Sequence, residues 1–362
     1  MWHVVSFTIV AKKHISYMRK LGLAKIYELD ERNIRHFQPA MKLPIAIHPF
    51  FFNAERLWPR FLDRRTYQVR QDYIDSWRSM FEKVVGVDVA DSDHISQLGL
   101  TYLQITDRMV VPSTWAKEAY IRSGYTKPVF VVPHGVDPDW YTRPNVWESG
   151  QVPSTINPTL VEIAKLKRRG YKIILFWLWH SADRKGWPEV KAVYEILKRK
   201  HPNYVLVVKT VAPMPPEVQQ VIHLGVVNVY GWLSEDDKIA LYDLADVNLN
   251  FSRGGGFEMN CLEALARGVP CVAGEKGGWS DYVPPFLSVK QCGRVQPLPG
   301  NKIHDGWGYK VCIEEAIEKI EDILENCDDY KGKVEEWKES VLQRRYRWDE
   351  VAKEFYKSVF VY

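Results

Sequence analysis

The chain has 362 residues, 46% apolar, 13% aromatic and 26% charged, without a low-complexity tract, which is the make-up of a folded globular protein long enough for two cores. A net charge of +4 lacks the clustered excess of a phosphate-tracking groove, so nucleic acid is not an expected partner, and no apolar run nears the roughly 20 residues needed to span a bilayer. The five cysteines, Cys261, Cys271, Cys292, Cys312 and Cys327, form no Cys-x-x-Cys pair; wide spacing and an odd count predict reduced, mostly buried thiols in a cytoplasmic protein without zinc.

The opening MWHVVSFTIV is apolar, with its positive charges after the apolar run and no small-residue cleavage site, and is expected as a first β-strand rather than a signal peptide. Residues 1–150 carry 20 Lys+Arg against 16 Asp+Glu, while the remainder balances at 29 against 29. Part of the excess lies between Arg56 and Arg78, where Arg60, Arg64 and Arg65 alternate with Trp58, Phe61, Tyr67 and Trp77. A solvated helix face packed by its aromatics is the favoured reading of that run, and peripheral contact with an anionic membrane is the other.

Residues 86–96, GVDVADSDHIS, read as a strand ending in a polar loop, where Asp and Ser are also ordinary helix caps. ITDRMVVPS, TWAKEAYIRSG and VFVVPHGVD then read as strand, helix and strand. Residues 144–160 hold Pro, Gly, Ser, Thr and Asn without periodicity and are expected as a linker or long loop. Beyond it, KIILFWLW, YVLVVKT, VNVYG, DVNLNFS and VPCVAG are short apolar strands, alternating with helices at PEVKAVYEILKRK, PPEVQQVIHLG, SEDDKIALYDLA and FEMNCLEALARG. That alternation predicts a doubly wound α/β domain with a parallel sheet buried on both faces, whose ligands sit at the carboxyl ends of the strands. The loops there carry His180, Arg184, Lys185 and Gly186, then Lys209 and Thr210, then Gly231, then SRGGGFE. A basic loop clamps phosphate through charge-assisted hydrogen bonds, and three glycines before a helix let the backbone take unusual dihedrals and a ligand approach free N–H donors, with Glu258 complementing the helix dipole. Together they predict a site for a phosphorylated ligand. A dinucleotide oxidoreductase is disfavoured, because the glycines follow the fourth strand of the domain instead of the first.

Taken in order, GGFEMNCLEALARGVPCVAG, with Gly256, Phe257, Leu262, Glu263, Ala264, Gly268 and Pro270, resembles the hallmark of the GT-B fold retaining glycosyltransferases of the large family four, or group 1, type. ADVNLNFS, GWLSEDDKIALYDLAD, ITDRMVVPSTW and VVPHGVD are similar to neighbouring signatures of that family, and WDEVAKEFY resembles its closing helix. The match runs from about residue 87 to the end, and the first 85 residues show little of it.

The resemblance implies two Rossmann-like domains: residues 1–155 for the acceptor, joined by a C-terminal tail, 342–362, that crosses back, and residues 165–341 for the donor. It implies transfer of a sugar from a UDP- or GDP-sugar to a glycan, lipid or protein acceptor with retention of configuration and without a metal or other cofactor. By the same resemblance Arg184 and Lys185 stabilise the leaving diphosphate, Glu263 holds the ribose hydroxyls, the backbone of Gly254, Gly255 and Gly256 beside Phe257 faces sugar and β-phosphate, and the base lies near Tyr230 to Leu233, including Gly231 and Trp232. Lys209 lines the donor site, Asp91 lies near the anomeric carbon with Asp93 and His94 in reserve, and His134 and Gly135 are structural or line the cleft. Asp91-Ser92-Asp93 has the spacing of a metal motif but falls in the acceptor half.

Two positions depart from the family pattern. The family's first glutamate falls on Gly255 and the glycine after Phe falls on Glu258, so either Glu258 replaces that carboxylate, the favoured reading, or the contact is gone. His180 stands where the family has an arginine in its diphosphate clamp, with Arg184 adjacent as a substitute. The alternatives are a non-catalytic sugar-nucleotide or glycan-binding protein of the same fold and an inverting transferase.

Overall fold

The computed structural model describes residues 6–30, 37–57, 62, 63, 66, 68–179 and 181–361. In chain order the first half contains α1 (Ser6–Lys20), β1 (Leu43–Ile47), α2 (Phe50–Leu57), α3 (Gln71–Met80), β2 (Phe81–Val87), α4 (Gln97–Leu103), β3 (Arg108–Val111), α5 (Thr114–Arg122), β4 (Val129–Val131) and α6 (Asp139–Thr142). The four strands form one parallel sheet in the order β1-β2-β3-β4. The second half runs through α7 (Pro158–Arg168), β5 (Lys172–Leu178), α8 (Trp187–Lys200), β6 (Tyr204–Thr210), α9 (Pro216–Gln219), β7 (Val227–Tyr230), α10 (Glu235–Leu244), β8 (Val247–Asn250), α11 (Met259–Ala266), β9 (Cys271–Gly274) and β10 (Ser288–Val289). Its parallel sheet has the order β10-β9-β8-β5-β6-β7. A hairpin of β11 (Gln291–Val295) and β12 (Gly308–Val311) follows, then α12 (Ile313–Glu325), α13 (Cys327–Trp337), α14 (Gln343–Arg345) and α15 (Trp348–Tyr356).

The larger sheet forms because its strands are apolar on both faces: every residue of β6 is buried, and so are those of β8 and β9. Its order runs outward from β5 in both directions, so β5 and β8 are neighbours whose chains leave toward opposite edges. That is the switch point of a doubly wound sheet, where a crevice opens at the strand ends. Local signals place the helices: Ser96, Ser113 and Asn157 cap α4, α5 and α7, and Ser234 with Asp237 makes a capping box on α10. The helix expected over PPEVQQVIHLG is broken into α9 and a 3-10 turn at Ile222–Leu224.

Of the strand expected over residues 1–10, residues 1–5 lie outside the described residues and the rest opens a helix, Ser6–Lys20. Its buried positions are Val10, His14 and Met18, four apart, and a histidine in the middle of that stripe hides the helical period. α1 and α15 pack together on the smaller sheet, with Val10, Met18, Val85, Val87, Val110, Trp348, Val351 and Phe355 in one core. The C-terminal helix thus crosses back onto the first half. The PHGVD turn docks the crossing: Val136 N–H donates to Tyr346 and accepts from Trp348 N–H through its carbonyl, at 2.9 and 3.0 Å. A β-carbon on Gly135 would stand 2.9 Å from the Trp348 nitrogen.

The cysteine expectation is corrected. Cys292 and Cys312 form a disulfide at the base of the hairpin, with Cα atoms 5.0 Å apart; twenty residues separate them in sequence, but antiparallel pairing brings them opposite. Cys261 and Cys271 are buried free thiols. Of the basic aromatic run, Trp58, Arg60, Phe61, Arg64, Arg65 and Tyr67 lie outside the described residues; Trp77 is buried in the core and Arg78 pairs with Asp107 at 2.7 Å. Among the described residues no helix is long and apolar enough to cross a membrane.

Three histidines gather beneath the crossing helix. His14 stacks on Phe355 at 4.1 Å and meets Trp348 edge-on at 5.5 Å, and its Nε2 is buried without a partner. Burial holds all three neutral, with His14 well below its ordinary value, His48 at about 4 and His134 at about 3. Asp88, pushed up to about 7 by burial, works in the opposite sense. A histidine depressed in the native state favours folding fully above its unfolded value near 6.5 and loses that contribution as pH falls toward the native value. At pH 5 the cost is about 2 kcal/mol for each such histidine, partly offset by Asp88. Denaturant unfolding is therefore expected to show stability lost between pH 7.5 and 5, and His14→Phe, which keeps the stacking and removes the unpaired nitrogen, should flatten that slope; an unchanged slope would contradict the assignment.

Candidate active site

The site is built where the two sheets face each other, from the loop after β5 and the loop after β8. These loops touch backbone to backbone. Gly186, with φ of 76°, is packed so that a β-carbon would lie 2.0 Å from the Phe251 carbonyl oxygen, and Arg253 N–H donates to the Arg184 carbonyl at 2.7 Å. Arg253 is further locked by a two-pronged buried pair with Glu189 in the first turn of α8, at 2.8 and 3.1 Å.

None of the three glycines of SRGGGFE has a positive φ. The expectation that they serve unusual dihedrals is corrected: what they provide is space. A β-carbon on Gly254 would stand 2.3 Å from the Asp91 carbonyl oxygen, and one on Gly256 would stand 2.7 Å from Val89 Cβ and 2.9 Å from Ala90 N. The glycine loop therefore lies directly on the end of β2, against residues 89–91 of the other half. Gly256 N–H donates to Asp91 Oδ1 at 3.1 Å, and Ser113 Oγ donates to the Gly256 carbonyl at 2.7 Å.

Four charged groups converge on this contact. Lys185 Nζ donates to Glu258 Oε2 at 2.5 Å. Arg184 Nη1 donates to the Gly254 carbonyl at 3.1 Å and lies 3.9 Å from Asp91 Oδ1 and 3.8 Å from Glu258 Oε1. Glu258 is 2% exposed, and its Oε1 has no hydrogen-bond partner. Burial pushes the Asp91 carboxyl up, but Arg184 foremost, with His304, the Gly256 N–H and Lys185, outweighs it and holds the group below its ordinary value. Burial lowers Lys185, against the opposing pull of Glu258. Glu258 stands at the N-cap of α11, and its Oε1 lies 2.7 Å from where a β-carbon at position 255 would be.

Glu263 lies one turn into α11, buried, and accepts from Lys238 Nζ at 2.9 Å and Tyr242 OH at 2.8 Å. Those partners, four residues apart on one face of α10, were visible as a pair in the sequence but not as neighbours of Glu263. Lys209 donates to the carbonyls of Thr210 and Gly231 at 2.8 and 2.6 Å and sits between the rings of Trp177 and Trp179; burial lowers it to about 8. Its charge thereby holds the turn at Gly231 (φ 86°), beyond which Trp232 is 59% exposed and meets Trp179 edge-on at 5.9 Å. Phe257 packs between His134 and Tyr282, at 4.7 and 4.9 Å. His180 lies outside the described residues. Of the reserves, Asp93 accepts from Trp307 N–H at 2.7 Å and His94 Nδ1 bonds Ser123 Oγ at 3.0 Å, so both are occupied structurally. Beside Arg184 a cavity of about 950 Å³ opens between Ser181–Arg184, the start of α8 and residues 297–301.

The arrangement can do one thing readily: present two fixed cations to an anion held between the two halves, with two carboxylates at hand. Residues 183–287, which include the whole basic and glycine-loop region, match the family described as Glycosyl transferases group 1. An uncharacterized protein of Sulfolobus islandicus rod-shaped virus 1 is 31% identical over 92% of this chain and 89% of its own length. A protein provisionally named glycosyltransferase 45, from Sulfolobus islandicus filamentous virus, is 27% identical over 76% of this chain and 73% of its own. Among solved structures, Anabaena HepE in complex with UDP and glucose superposes with a TM-score of 0.56 at 16% identity, covering 79% of this chain and 74% of that one. The two facing sheets, the helix that crosses back and the loops that meet between them are thus the GT-B architecture, and the chain belongs to the group 1 glycosyltransferases.

Proposed function

We propose that the chain moves a sugar from a UDP- or GDP-sugar to a hydroxyl of a glycan, lipid-linked or protein acceptor, with retention of anomeric configuration and with protein cations in the place of a divalent ion. The observation that carries this reading is the junction of Arg184, Lys185, Asp91 and Glu258 at the switch point of the donor sheet. A departing nucleoside diphosphate gains negative charge in the transition state, and Arg184 and Lys185 are rigidly mounted to receive it. In the free protein Lys185 is neutralised by Glu258, so an arriving diphosphate competes for a cation that is already in position. Glu263 keeps lone pairs beyond those given to Lys238 and Tyr242, and these suit ribose hydroxyls. The Glu258 carboxylate reaches the space that a side chain at position 255 would enter, which supports its taking over the missing family glutamate beside the transferred sugar. Asp91 approaches the same point from the acceptor side.

Calorimetric titration with UDP, GDP, ADP and their sugars tests the donor site. Wild type should bind one nucleotide class, and Lys185→Ala and Glu263→Ala should each weaken that binding by about tenfold or more, equivalent to roughly 1.4 kcal/mol. Binding of no nucleotide would remove the reading. Glu258→Gln preserves shape and removes charge; transfer should fall by about a hundredfold or more while donor affinity changes only a few-fold, because the lost interaction acts on the reacting sugar. Full turnover by that variant would assign Glu258 to structure alone. The anomeric coupling of the product, read by proton NMR, decides retention against inversion.

A further inference from the structure

We propose that His304, carried on the loop between β11 and β12, is a sugar-contact residue of the reaction centre, bonding a hydroxyl of the transferred sugar beside Asp91. The hairpin belongs to the donor half, yet its loop crosses the cleft and is fastened to the other half on both sides of His304. Ile303 is 4% exposed and joins the core of the first half, with a contact to the position of Gly99. Ser96 N–H donates to the Ile303 carbonyl at 2.8 Å, and Ser96 Oγ donates to that of Lys302 at 2.5 Å. Beyond His304, Gly306 N–H donates to Ser92 Oγ at 3.3 Å, and Trp307 exchanges two bonds with Asp93, at 2.7 and 2.9 Å. At its base the hairpin is closed by Cys292–Cys312, and Tyr309 N–H donates to the Arg253 carbonyl at 2.7 Å, directly before the glycine loop.

The backbone of His304 is therefore held at a fixed place, N–H bonded to Asn301 Oδ1 at 2.8 Å, with the ring edge-on to Phe51 at 5.8 Å. Its charged neighbours are Asp91, Arg184 and Asp305. Nδ1 is closed to solvent and bonds nothing. Arg184 is the shared neighbour that also lies 3.8 Å from Glu258 Oε1, another buried polar atom without a hydrogen-bond partner. Two unpartnered polar atoms, on two side chains that both feel the Arg184 charge, call for a ligand that brings its own hydrogen bonds. A phosphate, which only accepts, suits Arg184 and Lys185; a sugar hydroxyl, which both donates and accepts, suits a carboxylate oxygen and a neutral imidazole. Burial keeps His304 below its ordinary value, so the ring is neutral near pH 7. Nothing in the glycine-loop motif contains this residue; it arrives from a hairpin some forty residues further on.

The inference rests on the nucleotide-sugar reading and is tested by the affinity that the sugar adds. Calorimetry compares each nucleotide with its sugar conjugate (UDP with UDP-glucose and UDP-N-acetylglucosamine, GDP with GDP-mannose) on wild type, His304→Ala and His304→Asn, using the conjugate that binds wild type tightest. His304→Ala should weaken the conjugate about tenfold and leave the bare nucleotide within twofold, and His304→Asn, which keeps a hydrogen-bonding group, should recover most of the loss. A conjugate bound as well by His304→Ala as by wild type, a parallel loss for nucleotide and conjugate, or a wild type that gains nothing from the sugar overturns the assignment while the nucleotide site stands. Binding of no nucleotide at all removes both.

Discussion

The two halves meet through an absence of room between two backbones. Residues 254–256 lie on residues 89–91 with too little space for a β-carbon on either Gly254 or Gly256. Such contact fixes the separation of the halves to a fraction of an ångström, since any side chain there would force them apart. The Gly256 bonds to Asp91 and Ser113 then set the angle at which they meet. The crossing contact of the charged cluster follows from this seat. Asp91 belongs to one half and Arg184, Lys185 and Glu258 to the other, and Asp91 comes within 4 Å of Arg184 because the glycine loop is bare.

The cluster it assembles is balanced, two cations against two carboxylates, in a place nearly closed to water. Burying charges is costly unless each finds an opposite charge and further hydrogen bonds. Here Lys185 and Glu258 satisfy each other, while Arg184 is shared between two carboxylates and a carbonyl and fully claimed by none. The guanidinium is thus desolvated and aimed before any ligand arrives, which is what the proposed binding of a diphosphate requires. The buried Arg253–Glu189 pair behind it has the complementary role: it holds both loops and is turned away from the ligand side by its own two bonds.

The donor sheet was largely legible because each of its strands is a short apolar run and each helix carries its own period and cap. The loops holding Arg184, Lys185 and Glu258 could be placed for the same reason. Contacts between distant segments were not legible: Gly256 finds Asp91 across 165 positions and Arg253 finds Glu189 across 64, and no local pattern encodes either. The three glycines were read as a conformational device, whereas their φ values are ordinary and the requirement is steric, imposed by a partner the sequence does not show. The start of α1 was taken for a strand because residues 1–10 form a nearly continuous apolar run, and the hairpin went unnoticed because β11 is largely exposed and carries few apolar residues. Its disulfide joins cysteines that sequence spacing alone leaves unrelated.

The hairpin also changes how the two halves can move. A pair of domains joined by a linker and a returning helix has two crossings close together, and such a pair can swing about them as a hinge. The loop that seats Ile303 in the opposite core adds a third attachment, separate from the other two. That third attachment opposes swinging about the other two. Wide rocking of one half against the other would require Ile303 to leave its socket and the bonds of Ser96 and Asp93 to break together. Parting the halves would therefore cost a buried side chain and its hydrogen bonds, whereas the opening between residues 181–184 and 297–301 reaches Arg184 without it.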